Sequence, residues 1–161
     1  MRDRNETMII RDISQLIVPS AQTLAAYGAT HLNSLVDEGW NSARSFYGSR
    51  PQPDYSIGFE RSAFTDSQLE KLKTFVGEPP DAFTSYFMGT WQIYFPFLTF
   101  EVKCGTAGLN IADLQNAHSM MLAVRGVVEL FRLVKREKEL HQEILAFSIS
   151  HDHQTVRIYG H

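Results

Sequence analysis

Cysteine is all but missing from this sequence: Cys104 stands alone among 161 residues. That excludes an internal disulfide and a cysteine-built zinc site, and it suits a reducing compartment. No apolar run approaches the roughly 20 residues that a bilayer-spanning helix requires. Internal repeats, low-complexity tracts and linkers are also lacking, so the length describes one domain with a core of its own. Met1 to Glu6 carry charges of both signs and lack the apolar stretch of a signal peptide. There is no basic excess either. Lys and Arg number 15 against 18 Asp and Glu, a net charge of −3. That counts against strong attraction for a polyanion, unless carboxylates hold a cation that supplies the missing positive charge.

What is there is the composition of a soluble globular protein, 43% hydrophobic and 20% charged. The location expected from these features is intracellular, nuclear or cytoplasmic. Residues 1–15 read as an N-terminal extension and residues 16–161 as a single domain cut from a longer protein. Met1 leads straight into polar residues, and strand-like Thr155 to Tyr159 stops just short of the last residue.

Ser20 after Pro19 is a helix N-cap, and Leu24, Leu32, Leu35, Val36, Trp40 and Ala43 fall mostly on one helical face. The spacing predicts a helix over about Ala21 to Phe46, with Gly28 and Gly39 as places for a break. Asp54 to Phe59 alternates: Tyr55, Ile57 and Phe59 on one side, Asp54, Ser56 and Gly58 on the other. Thr65 and Gln68 have capping-box spacing and open a short helix to about Phe75. Gly77 to Asp81 ends it, and an aromatic stretch from Phe83 to Phe97, broken by Pro96, fits no single state.

A second alternating strand runs from Leu98 to Cys104, with Thr99, Glu101 and Lys103 opposite its apolar face. Asn110 is the expected cap of a long helix whose apolar stripe is Leu114, Ala117, Met121, Val124, Val128 and Phe131. Lys135, Arg136 and Lys138 suit its C-terminal end. Ile144 to Ser150 and Thr155 to Tyr159 predict a hairpin turned through His151 to Gln154. The whole predicts an α/β fold, a central mixed β-sheet flanked by helices.

Three charges sit on strands that otherwise read as core. Asp54 opens the first, and Glu101 and Lys103 share a face of the second. Two carboxylates brought close repel unless a cation lies between them, and Mg²⁺ suits hard oxygen donors. A lysine beside such an ion can orient or deprotonate water and stabilise a phosphoryl oxygen. That is chemistry for phosphodiester hydrolysis.

Pro53-Asp54 followed by Glu101-Val102-Lys103 resembles the PD-(D/E)XK motif of restriction-endonuclease-like nucleases. More narrowly, "PQPDYSIGF", "FPFLTFEVKCG", "NAHSMMLAVRGVVELFRLVKREKEL" and "AFSISHDHQTVRIYGH" resemble a family of uncharacterised fungal domains assigned to that superfamily. The resemblance implies a restriction-endonuclease-like core in helix-strand-strand-helix-strand-strand order, here with an inserted short helix. It implies that Asp54, Glu101 and the Val102 carbonyl bind Mg²⁺, with Mn²⁺ as a substitute, and that Lys103 faces the attacking water. Some members add an acid from the first helix and a glutamine from the helix after the motif, roles open to Glu38 and Gln115. The implied activity is metal-dependent cleavage of DNA or RNA. Because the superfamily also holds domains that lost the chemistry, a scaffold that binds a protein partner, as an interaction or effector module, is the rival expectation.

Other residues have plainer readings. His151, Asp152 and His153 suit a turn, Cys104 a buried core thiol, and Lys135 to Lys138 a solvated helix end. The aromatic residues Tyr86, Phe87, Trp91, Tyr94, Phe95 and Phe97 read mostly as core.

Overall fold

A computed structural model describes residues 15–45, 48–76, 84–103 and 108–161. Among these, the order is α1 (Gln15–Ile17), α2 (Ala21–Ala26), β1 (Leu32–Val36), β2 (Tyr55–Phe59), α3 (Asp66–Val76), β3 (Met88–Thr90), β4 (Ile93–Val102), α4 (Leu109–Leu133), β5 (Phe147–His151) and β6 (Val156–Gly160). The six strands form one open mixed sheet in the order β1-β2-β4-β5-β6, with β3 also paired to β4. Among the described strands only the neighbours β4 and β5 run parallel, joined by the crossover through α4. The expected α/β architecture is therefore what the chain adopts.

The long first helix is not. Ser20 caps α2 as expected, accepting from the Thr23 amide, but the helix stops after Ala26. Gly28 takes φ +99°, and its amide reaches Ala25 while that of Ala29 reaches Leu24. These paired bonds form a Schellman stop that favours glycine at the left-handed position. The chain then enters β1, antiparallel to β2. Leu32, Leu35 and Val36 satisfy a helical spacing and a short strand alike, so their spacing could not exclude the strand.

The other expected elements hold with shifted ends. The Thr65–Gln68 capping box forms, with Gln68 Oε1 accepting from the Thr65 amide at 2.8 Å and Thr65 Oγ1 from the Gln68 amide at 3.3 Å. Helix α4 begins earlier than expected: its N-cap is Gly108, not Asn110. The hairpin of β5 and β6 is present, but His151 is the buried end of β5 and not part of the turn. Asp152 makes that turn, its Oδ1 accepting from the amides of Gln154 and Thr155. Phe46, the Gly77–Asp81 break, Phe83 and Cys104 lie outside the described residues.

Each sheet face has its own filling. On one, Tyr55, Ile57, Phe100, Val102 and Ile149 pack with Val18, supported by Ile17 and Leu24. Each such side chain removed from water contributes about 1.5–3 kcal/mol. On the other, α4 lies over a polar row. Asn116, 1% exposed, accepts from Thr99 Oγ1 at 2.6 Å and donates to the Ile149 carbonyl and Ser150 Oγ, both at 3.0 Å. Beside that row, Trp40 is fully buried among Ala43, Met120, Leu122, Ala123 and Ala146.

The stripe expected to be the core face of α4 is turned outward in its first half, at Leu114, Ala117 and Met121, while Val124, Val128 and Phe131 are half-buried and Val124 packs on the Trp40 cluster. Leu114 is 72% and Met121 48% exposed. The sheet side instead carries Leu109, Ala112, Asn116, Ser119, Met120 and Ala123. The aromatic stretch does resolve mostly into core, with Phe87, Tyr94 and Phe95 buried against α3 while Trp91 is exposed.

Candidate functional site

The two strands that carry the charged residues are neighbours. In the β2–β4 pairing Ser56 stands opposite Thr99 and Tyr55 opposite Phe100. One step further along that register sets Asp54 opposite Glu101. The step is held by a specific bond: Asp54 Oδ2 accepts from the Val102 amide at 2.7 Å. One carboxylate is thus fixed on the peptide group that follows the other. Side-chain alternation puts Asp54, Ser56, Thr99 and Glu101 on the α4 face, while Tyr55, Phe100 and Val102 enter the opposite core.

Glu101 is 2% exposed, an expensive place for a carboxylate. Lys103, two residues along the same face, brings Nζ to 4.0 Å from Glu101 Oε2 and is itself 12% exposed. The lysine points toward the Glu101 carboxylate.

Glu38 is not on a helix. It follows β1 in the loop that passes Asp54, where the Asp37 amide donates to the Asp54 carbonyl at 2.9 Å. Asp37 takes φ +51° and is braced by Gln52, whose Nε2 donates to its carbonyl and to Oδ1. Glu38 is thus the residue after that backbone bond, in a loop and not on the first helix. Gln115 is exposed on α4, and the next residue, Asn116, takes the position facing the sheet.

Arg157 and Asp113 escaped the reading of the sequence, and His151 was read as a turn residue. Arg157 on β6 donates through Nη1 to Asp113 Oδ2 and, at 3.1 Å, to Asn110 Oδ1. Burial works to raise the Asp113 carboxyl, but hydrogen bonding to Ser150, Arg157 and Tyr159 together with the Arg157 charge outweighs it and holds the group below its usual range. His151 is 3% exposed, pairs with Val102 across the β4–β5 ladder, and sets its ring edge-on to Phe100. Neither ring nitrogen makes a hydrogen bond of good geometry. Burial lowers its pKa, and the nearby backbone of Asp152 and Thr155 opposes that only in part. No periodicity separates such a residue from a turn histidine.

Among the described residues no three or more His, Cys, Asp and Glu side chains gather as a metal site. The candidate donors are two carboxylates and one carbonyl. Hard oxygens of this kind fit Mg²⁺ or Mn²⁺, which keep several waters in their shell. Among the described residues no helix is long and apolar enough to cross a membrane.

The fold and site define a class: an open mixed α/β sheet with a carboxylate pair and a lysine at adjoining strand ends. The chain belongs to a family described as a domain of unknown function, DUF7924, whose model matches residues 1–161. Neither a curated protein nor a solved structure matches it.

Proposed function

We propose that this domain is of the PD-(D/E)XK type and hydrolyses nucleic-acid phosphodiester bonds with a divalent metal. The observation that carries this reading is the Asp54–Val102 hydrogen bond, which fixes one carboxylate opposite Glu101 while Lys103 approaches the same group. Asp54, Glu101 and the Val102 carbonyl would hold Mg²⁺, with Mn²⁺ as its substitute. A bound ion supplies Lewis acidity and lowers the pKa of a water. Lys103 orients that water or neutralises a phosphoryl oxygen, and the buried setting strengthens each charge interaction. Substrate is DNA or RNA. The net charge of −3 does not oppose this once two carboxylates are engaged by a divalent cation.

A second reading, a catalytically silent scaffold that binds a protein partner, is favoured by one feature. An open groove of about 440 Å³ runs along α4 between Met121, Val124 and Val128, apolar with Arg125 and Arg132 at its rim.

Single- and double-stranded DNA and RNA incubated with Mg²⁺, Mn²⁺ or EDTA separate the two. Cleavage that needs metal and disappears in Glu101→Gln supports hydrolysis. Intact substrates in Mn²⁺ with a folded protein would turn the conclusion to the interaction module.

A further inference from the structure

The apolar stripe of α4 keeps a strict spacing. Leu114, Ala117, Met121, Val124, Val128 and Phe131 alternate between steps of three and four residues, the a and d positions of a heptad. Packing on the sheet does not ask for this, since α4 meets the sheet with other residues, Ala112, Asn116, Ser119 and Ala123 among them. A seam of period 3.5 drifts about 20° per heptad around a straight helix. That drift accounts for its burial: Leu114, Ala117 and Met121 are exposed, while Val128 and Phe131 turn toward the protein and are half-buried. From Leu114 to Phe131 the seam is roughly 26 Å long at the rise of an α-helix.

The groove beside this seam is bounded by α4 itself and by His161, just past the end of β6. Helix α4 lies over β4 and β5. It reaches β6 near its own N-terminus, where Arg157 bonds Asn110 and Asp113. A second helix packed about 8–10 Å from α4 would stand about two strand spacings further along the sheet, over β6. The helical layer on this face therefore has room for one more helix, and the wall that α4 offers it is apolar.

We propose that this groove docks an amphipathic helix of another protein chain, apolar along a matching seam and acidic along its outer flank. Docking here is independent of whether Asp54, Glu101 and Lys103 hydrolyse a substrate. Charge selects the partner. Of the residues that line the groove, Arg125 and Arg132 are cations, and Glu129 is the one acid, shared by both at 3.3 and 3.1 Å. Charges flanking a helix seam set partner choice and orientation. A second copy of α4 answers these charges poorly. Antiparallel, it would bring Arg125 and Arg132 against the same pair of arginines. Parallel, it would set them against Met120 and Val127, which carry no charge. Glutamate or aspartate on an incoming helix answers both.

The test uses two synthetic peptides of about three heptads, each with leucine at its a and d positions. One carries glutamate at the flanking positions and the other lysine. Fluorescence anisotropy should show the glutamate peptide bound in the micromolar range and the lysine peptide at least about tenfold more weakly. Met121→Asp, in the middle of the seam, should remove most of the binding while leaving any metal-dependent cleavage unchanged. Arg132→Glu, at a side chain 59% exposed, should reverse the preference between the two peptides. It also decides the matter if the aspartate variant melts early.

Equal binding of both peptides, binding of neither, or a folded Met121→Asp protein with wild-type affinity overturns the proposal. So does wild-type protein that sediments as a dimer and is dissociated by Met121→Asp, because the seam then belongs to a second copy. The hydrolytic reading fails separately: peptide binding without cleavage in Mn²⁺ ends that reading and leaves the docking groove standing.

Discussion

Asp54 and Val102, 48 residues apart in sequence, are joined by a hydrogen bond from the Val102 amide to Asp54 Oδ2 of 2.7 Å. The bond makes Asp54 at once a structural acceptor and a candidate ligand, and substitutions can separate those roles. Asparagine keeps an oxygen for the amide and removes the charge. Asp54→Asn should melt close to wild type yet lose calorimetric Mn²⁺ binding. Asp54→Ala should lose both, at about 1–3 kcal/mol of stability for the orphaned amide. An asparagine protein that binds Mn²⁺ normally would remove Asp54 from the site.

Lys103→Ala removes the ammonium that stands 4.0 Å from the buried Glu101 carboxylate. Breaking a fully buried pair costs about 3–5 kcal/mol. Here the partial exposure of Lys103 and the 4.0 Å separation bring the expectation down to roughly 2 kcal/mol. Urea denaturation gives the number. Added Mn²⁺ should recover more stability in this variant than in wild type, and equal gains in both would contradict an ion at Glu101.

Asn116→Ala removes an acceptor for Thr99 and two donors to β5 in a dry layer. A loss of about 2–4 kcal/mol is expected, since several buried groups are orphaned together. Thermal melts should show it, together with faster amide exchange in β5.

His151 sets a pH dependence. Its folded pKa lies below the ordinary 6.5, because burial disfavours the charged ring. On acidification below about pH 6.5 the unfolded chain therefore takes up a proton that the folded one refuses. Stability falls from there down to the folded pKa and is unaffected at higher pH. His161, also depressed by burial, adds a loss of the same sign. His151→Leu should raise stability by about 1 kcal/mol at neutral pH by removing an unsatisfied buried group. It should also reduce, but not abolish, the acid-side slope of stability measured by denaturation at pH 5 and pH 7.5.

Gly126→Ala should be harmful although alanine is the better helix former by about 1 kcal/mol. An added Cβ would run into the backbone carbonyl oxygen of Tyr86, which has no side-chain rotamer by which to yield. A net loss of about 2 kcal/mol in equilibrium denaturation is expected.

That Asp54, Glu101 and Lys103 stand opposite apolar strand faces was legible from the alternation on β2 and β4; that the two strands are neighbours was not, because alternation says nothing of pairing. The mixed α/β sheet was legible for a related reason: strand and helix periods differ clearly in β4 to β6. Two misreadings have physical causes. Leu32, Leu35 and Val36 suit either period, and only the backbone at Gly28 decides. On α4, Ala112, Asn116 and Ser119 take buried positions beside Leu109 and Met120 because part of the helix meets a polar row, so apolar spacing picked a stripe whose Leu114, Ala117 and Met121 face solvent. Arg157 entered the row through strand register, which one sequence does not carry.

The two-residue offset in β4 has a mechanical consequence. Ile57 pairs with Leu98, but Phe59 pairs with Tyr94, the slack being taken up around Phe95, at φ +44°, and Pro96. Gly58 sits against that slack, where a side chain would meet the Tyr94 carbonyl at 2.9 Å. The offset works as a slip joint in the strand pair. On one side lie α3 and the aromatic segment that lengthen the chain between the Asp and Glu strands; on the other lies the register that sets Asp54 against Glu101. Length and shape can change in the first without being transmitted to the second.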